Sequence, residues 1–388
     1  MLASRMMSNA RILSEDFFMK HNRIAISSLL ACIAATSLSA DVSDAQMRSL
    51  ENRVSALEQK KSATSTLNPS GRPQVQDGLD LFFTADWLIW QAHENGLSYA
   101  VKAPSGHSAD TALYKSSVKN MSFDWDFGFR LGLGWNLPHD GWDLYANWTW
   151  FQDDASETTT VGSGHVLFPV SAYQPANDST EGFRSAHAKW RLHLNMIDLD
   201  LGREFFVSKW MTLRPFIGLR TGWIRQHKSV TFTSAISTSD QTGSLLKGTN
   251  NYWGIGPRTG LNTQWGLGHG LSFFGNMGCS LLYGFFDVQT YQNQLISGGS
   301  HNDAVTDKDS NRVGRVITEI ALGLRWDTMF MDDNFHFGIQ AGWEQLMFFG
   351  QNQFKTFSGT SLSNAGAFVA NQGDLTIQGW TLAIRLDF

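Results

Sequence analysis

Two cysteines in 388 residues leave little scope for covalent or redox chemistry. Cys32 lies in an apolar stretch near the front, and removal of that stretch leaves Cys279 alone. No internal disulfide, Cys/His zinc cluster or redox pair can then form. Charge is scarce as well: 17% of residues are charged, and the net charge of −5 gives no electrostatic footprint for nucleic acid. Beyond the front no apolar run reaches 18 residues, which excludes a helical membrane span. Catalytic signatures are missing too, with neither a G-x-S-x-G elbow nor an H-E-x-x-H helix. The loop histidines His165, His187, His227 and His301 read as solvated. Asp307-Lys-Asp309-Ser-Asn311 resembles the opening of a calcium loop but lacks its sixth-position Gly and twelfth-position Glu. The reading is a non-enzyme without metal or cofactor.

What the chain has instead is 36 Gly and 15 Trp, with only 8 Pro, a composition that suits strands facing something apolar. The front carries a secretory signal: Met19-Lys-His-Asn-Arg23 is basic, Ile24 to Ala35 is apolar but too short to span, and Ser37-Leu-Ser-Ala40 offers small residues for cleavage. Residues 1–40 are therefore expected to be this signal behind an over-extended start, with Met19 the true one. Leu29-Leu30-Ala31-Cys32 loosely matches a lipidation motif, but Ile33-Ala34-Ala35 continues the apolar run, so Cys32 reads as part of the signal. In 41–61 the apolar residues Met47, Leu50, Val54 and Leu57 are spaced 3, 4, 3, the seam of a short α-helical coiled coil. Two heptads are too few to hold alone. Residues 62–77 read as a flexible linker.

From residue 78 to Phe388 the period is two. Phe123, Trp125, Phe127, Phe129, Leu131, Leu133 and Trp135 alternate with Asp124, Asp126, Gly128, Arg130, Gly132 and Gly134. No helix keeps those two sets apart. Short turns alternate with long loops, and the chain stops on an amphipathic strand, Trp380 to Phe388, that ends on an aromatic. The expectation is an all-β, antiparallel transmembrane barrel of 10–14 strands, with twelve the best single number, preceded by the coiled-coil segment. Weak alternation in Leu97 to Lys102, Val166 to Val170 and Ser229 to Ile236 supplies the extra hairpins or strand extensions in that count. Thirteen Trp, all but Trp90 and Trp210, fall on the oily phase. Trp125, Trp135, Trp142, Trp150, Trp253, Trp265, Trp326 and Trp380 sit where two aromatic girdles would bracket an apolar band.

The polar phase carries Arg130, Arg214, Arg220, Arg258, Arg325 and Arg385, with Asp86, Asp124, Asp126, Glu319, Glu344 and Asp387. Between Met196 and Ile197 the oily phase slips by one, which reads as a β-bulge; placed so, it adds Arg191 and His193 to the inner set. Either these charges line a pore constriction, or they form ion-pair ladders that stiffen a closed lumen. Many inward glycines, Gly134 and Gly254 among them, favour open room.

The blocks ADWLIWQAHENGLSYA (85–100), FDWDFGFRLGLGWNLPHDGWDLYANWTWF (123–151), DLDLGREFFVSKWMTLRPFIGLRTGWIRQ (198–226) and WGIGPRTGLNTQWGLGHGLSFFGNMGCSLLYGFF (253–286) resemble the Legionella-type pore-forming outer-membrane protein family. The likeness covers nearly everything after residue 79. It implies a bacterial outer-membrane porin passing small hydrophilic solutes, with long loops outside and the N-terminal helix in the periplasm. Its partners would be outer-membrane lipid, further copies of the chain in a homo-oligomer such as a trimer, and the barrel-assembly machinery, for which Phe388 would be the signal. The rival reading is a structural barrel or adhesin acting through its loops. The cysteine-rich disulfide networks of the pathogenic chlamydial porins are beyond a chain with Cys279 alone.

Overall fold

The computed structural model describes residues 68–388 apart from 77, 106–115, 139, 171–181, 234–242, 296–300, 359–366 and 371–372. The expected signal and coiled coil lie outside the described residues. Sixteen strands follow in order: β1 (Leu81–Glu94), β2 (Ala100–Pro104), β3 (Ser117–Lys119), β4 (Asp126–Asn136), β5 (Trp142–Thr160), β6 (His165–Pro169), β7 (Ser185–Arg203), β8 (Phe205–Ser208), β9 (Met211–Thr233), β10 (Gly243–Gly268), β11 (Leu271–Leu295), β12 (His301–Phe330), β13 (Phe335–Asn352), β14 (Lys355–Ser358), β15 (Ala367–Ala370) and β16 (Gly373–Asp387).

Ten of them form one closed antiparallel barrel in the order β1, β4, β5, β7, β9, β10, β11, β12, β13, β16, with β16 pairing back onto β1. The best expectation of twelve is thus corrected to ten. Of Leu97 to Lys102 and Val166 to Val170, the parts in β2 and β6 do form strand, but in the separate three-stranded sheet β3-β2-β6. Ser229 to Thr233 extends β9 instead of starting a hairpin. β8 hydrogen-bonds to the start of β9, and β14 pairs with β15.

Short turns gather at one end. Asp140 (φ 57°) and Gly141 (φ 72°) are both left-handed in the short turn between β4 and β5, where the Leu137 amide donates to the Trp142 carbonyl at 2.8 Å. The stretch read as a linker is partly docked here: Ser70 bridges Phe205, Arg72 donates to the Leu137 carbonyl at 3.0 Å, and the Gln76 amide donates to the Asp333 carbonyl at 3.0 Å.

At the other end the strands run far past the apolar band. The 30 residues of β12 climb roughly 75 Å at ~3.3 Å each and ~40° of tilt, about three times the ~25 Å band of such barrels. Residues 225–233 and 243–251, where the sequence suggests a long loop, belong to β9 and β10. The band itself is bounded by two aromatic rows. Trp150, Trp223, Trp253 and Phe285 lie in one row across β5, β9, β10 and β11, with Asn195 of β7 between the first two. Trp135, Trp142, Trp265 and Trp326 belong to the row near the short turns.

β7 shows what happens at the upper row. Below it, Ile197, Leu199 and Leu201 face out while Asp198 and Asp200 face in. Above it, Met196, Leu194, Leu192, Trp190 and Ala188 face in and are buried, while Arg191 and Lys189 face out and are exposed. Register with β5 and β9 runs through Met196 and Ile197 without a shift, so the expected bulge does not exist. Side chains keep alternating, and it is the polarity of the two faces that exchanges. Arg191 and His193 are therefore outside the lumen, and Trp190, expected on the outer oily face, is inside it.

Candidate functional site

The lumen is the one enclosed space to which every barrel strand contributes, and it has two halves. In the short-turn half, inward side chains are polar, because the outward positions carry the apolar residues of the band. A cavity of about 230 Å³ sits among them, bordered by Arg130, Arg214, Arg258, Arg325, Arg385, Glu319 and Glu344. Of the expected inner residues, these all point inward, as do Asp86, Arg220 and Asp387.

The charges meet in networks across the barrel. Arg130 pairs with Glu344 at 2.7 Å and Asp86 at 3.1 Å, joining β4, β13 and β1, and Thr381 donates to Glu344 at 3.1 Å. Arg220 pairs with Asp198 at 2.6 Å and Glu319 at 2.8 Å. Arg258 shares Glu319 at 3.1 Å and also contacts Asp200. Nearer the short turns, Arg214 is held bidentately by Asp143. A chain then runs Arg325, Asp327, His336, Asp387, Arg385 through contacts of 2.8, 3.0, 2.6 and 2.6 Å. Bidentate guanidinium–carboxylate geometry of this kind fixes side chains as well as charge.

Two expected residues do not join. Asp124 precedes β4 and is exposed, and Asp126, at the head of β4, accepts the Asp154 amide at 3.2 Å above the band. Neither borders the polar cavity. Asp143, Asp198, Asp200, Asp327 and His336 are inner residues that the sequence reading does not include, although Asp198 and Asp200 alternate with Ile197, Leu199 and Leu201 and are readable as inward with or without the bulge. Counting the networks and Glu204, which also borders the cavity, six arginines face nine carboxylates.

The long-loop half of the lumen is filled. Leu88, Trp90, Phe151, Trp190, Leu192, Leu194, Ile224, Phe232, Phe286, Phe348, Leu346 and Ile377 form one buried apolar cluster drawn from both sides of the barrel. Leu97, Tyr99, Ala100 and Leu167 of the small sheet and its approach close over it. Trp90 marks the floor, with the Arg130 guanidinium 5.5 Å from its ring. Inward glycines do not leave open room as expected: the space beside Gly134 is occupied by the Phe82 ring, and that beside Gly254 by the Tyr252 phenol.

Some polar groups are embedded above the upper aromatic row, outside the membrane-spanning part. Gln226 donates to Glu94 at 2.8 Å, and Asn250 donates to Gln226 and to the Gln351 carbonyl. Burial pushes the Glu94 carboxyl up to about 8, against the pull of the Gln226 hydrogen bond and of Lys228. Asp153 accepts the Ala92 amide at 2.7 Å, yet burial first, and then Asp126, Asp154 and Asp124, hold it up at about 7.

The Legionella pneumophila major outer membrane protein precursor family matches residues 72–388. The chain belongs to this family. Membership places it among bacterial outer-membrane proteins, and the resemblance seen in the four sequence blocks is thereby shown. No curated protein matches the chain. Among solved structures it is similar to the outer membrane protease OmpT of Escherichia coli, at 9% identity and TM-score 0.40, covering 84% of this chain and 99% of that one. It is also similar to the translocator domain of the autotransporter NalP from Neisseria meningitidis (12%, TM-score 0.26, 91% and 99%) and to a Pseudomonas aeruginosa FadL homologue (8%, TM-score 0.24, 79% and 89%). Scores this low carry no argument about activity.

The family match leaves the roles of the girdle residues untouched, but their placement is plain. Trp125, Trp150, Trp253 and Trp380 face outward towards the long-loop side, and Trp135, Trp142, Trp265 and Trp326 towards the short turns. Phe388 exchanges backbone hydrogen bonds with Leu81, at 2.9 and 3.1 Å, next to the seam of the barrel.

Proposed function

We propose that this family member is a narrow outer-membrane channel for small hydrophilic solutes and ions, held shut in the state described. The reading is carried by one observation: the short-turn half of the lumen holds a charged cavity of about 230 Å³ that every barrel strand lines, with Arg130 at its Trp90 end. We take the short-turn end as periplasmic and the long-loop end as external, as in barrels of this type. The cavity is then a periplasmic vestibule, and the apolar cluster above it is an outer gate that must part for conduction, in the manner of hydrophobic constrictions that gate by dewetting. Carboxylates outnumber arginines by three, and with His336 between Asp327 and Asp387 offsetting one of them an acidic excess remains that makes the vestibule attract cations.

A second reading is a shut barrel that acts as a structural or adhesive surface protein. The cross-paired arginines and the continuous apolar core favour it, since both stiffen a barrel without needing flow. Planar-bilayer recording of refolded protein decides: cation-selective openings are expected, and silence at every voltage leaves only the second reading. Oligomerisation through residues 41–61 and recognition of Phe388 by the assembly machinery belong to the same proposal. An unchanged oligomer after deletion of 41–61, or normal insertion after deletion of Phe388, would remove those parts.

A further inference from the structure

The aromatic row at the long-loop side has a gap. Trp150 on β5 and Trp223 on β9 both stand beside Asn195 of β7, so the girdle lacks an aromatic on that strand. The gap is a groove of about 370 Å³ on the outer wall, bordered by Trp148, Ile197, Trp223, Asn195, His193 and Arg225. Its lower wall is apolar and its upper lip is basic. Trp148 donates to Asn195 Oδ1 at 3.4 Å, which holds the two side chains at the base of the lip.

The lip opens onto a cationic patch. Arg225 pairs in register with His193, and one step up His227 pairs with Arg191; Lys189 and Lys247 both flank Ser229. Arg225, Arg191, Lys189 and Lys247 all point outward and are exposed. Among the described residues only Arg191 has an ion-pair partner here, Asp154 at 2.8 Å, and both of those side chains are solvent-exposed. Arg225 has no carboxylate partner among them, and Asp287 lies two strands away beyond Asn251. The field is felt locally: after burial, the positive neighbours His193, Arg191 and Arg225 lower the pKa of His227. On β1, β16 and β13 the corresponding positions are neutral, with Gln91, Gln378 and Gln345 in one row.

We propose that this groove binds a phosphorylated acyl lipid of the outer leaflet, with an acyl chain lying between Trp148 and Trp223 and the phosphate held by Arg225 and its basic neighbours. A guanidinium recognises phosphate bidentately, and a lipid is the source that supplies phosphate and hydrocarbon together at this depth. The leaflet assignment rests on the orientation taken under the proposed function. The site itself does not.

The test uses the full chain refolded in zwitterionic micelles and titrated with an acylated glucosamine disaccharide carrying two phosphates. Its phosphate-free counterpart and inorganic phosphate are titrated in parallel, with tryptophan fluorescence as the readout. Binding of the phosphorylated lipid at least tenfold tighter than either control is expected. The double variant R225Q/R191Q should abolish that preference, and N195W, which fills the gap and leaves the charges in place, should weaken lipid binding severalfold. Equal affinity for both lipids, unchanged preference in the double variant, or equal binding of inorganic phosphate would overturn the lipid site. Micelles have no sidedness, so those results are independent of orientation. Labelling of K189C in a C279S background by an impermeant maleimide, on cells, is expected from outside; labelling only after the outer membrane is opened would overturn the leaflet assignment.

Discussion

The barrel is two proteins in one sheet. In the band between the aromatic rows it is oily outside and polar inside; beyond the upper row it is polar outside and oily inside, like a soluble barrel. Asp198 and Leu194 occupy the same inward phase of one strand, four residues apart, and differ only in which solvent lies behind the opposite face. What decides the character of the interior is therefore the exterior. Where lipid takes the apolar side chains, the lumen receives the charges and must pair them; where water surrounds the wall, the lumen becomes the hydrophobic core.

The comparison can be broken most severely at its charged centre. Arg220 is almost fully buried between Asp198 and Glu319, so Arg220→Leu leaves both buried carboxylates to share Arg258 and should cost about 3–5 kcal/mol in denaturant unfolding from vesicles. A similar loss, ~3–5 kcal/mol, is expected for Trp190→Ala in the apolar half, whereas Trp148→Ala on the outer wall should cost far less. Equal costs would show that the apolar cluster is not a core. Leu199→Lys puts a charge on the lipid face and should cost roughly 2–4 kcal/mol, while His193→Leu, six residues earlier on the same outward phase, should stay within about 0.5 kcal/mol.

Smallest per step is a slope with pH. Because the folded pKa of Asp153 is raised to about 7 by burial, its contribution is fully present below the unfolded carboxylate pKa and is lost as pH rises through 7. Stability of the wild type should fall between about pH 4 and 7, by at most ~1.4 kcal/mol per pH unit from this group. Asp153→Asn keeps an acceptor for the Ala92 amide and should flatten the curve; a parallel curve would mean that Asp153 is ionised throughout.

The membrane half was largely legible. Phe127, Leu131 and Leu133 announce an outward face at a glance, and the arginines on the alternate phase follow from the period of two. The other half was not, because the same alternation with its polarity exchanged resembles a slip. Met196 and Ile197 are adjacent apolar residues either way, and only their cross-strand partners tell a bulge from a change of solvent. The strand extensions therefore read as loops, and the small sheet β3-β2-β6 reads as extra hairpin, which together lift the expectation from ten strands to twelve. Ion-pair partners were out of reach for a different reason: Arg130 and Glu344 are 214 residues apart, and which acid meets which arginine depends on the curvature of a closed wall.

The seam between β1 and β16 joins residues as distant as Trp90 and Thr381, 291 positions apart. Until the last strand arrives, β1 is a 14-residue edge with one side of its ladder unmet, and it carries Phe83, Trp87 and Ile89 on its outer face. Such an edge is a template for mispairing with any other nascent chain. Closing the barrel therefore depends on a pairing between the two strands that lie farthest apart in the sequence.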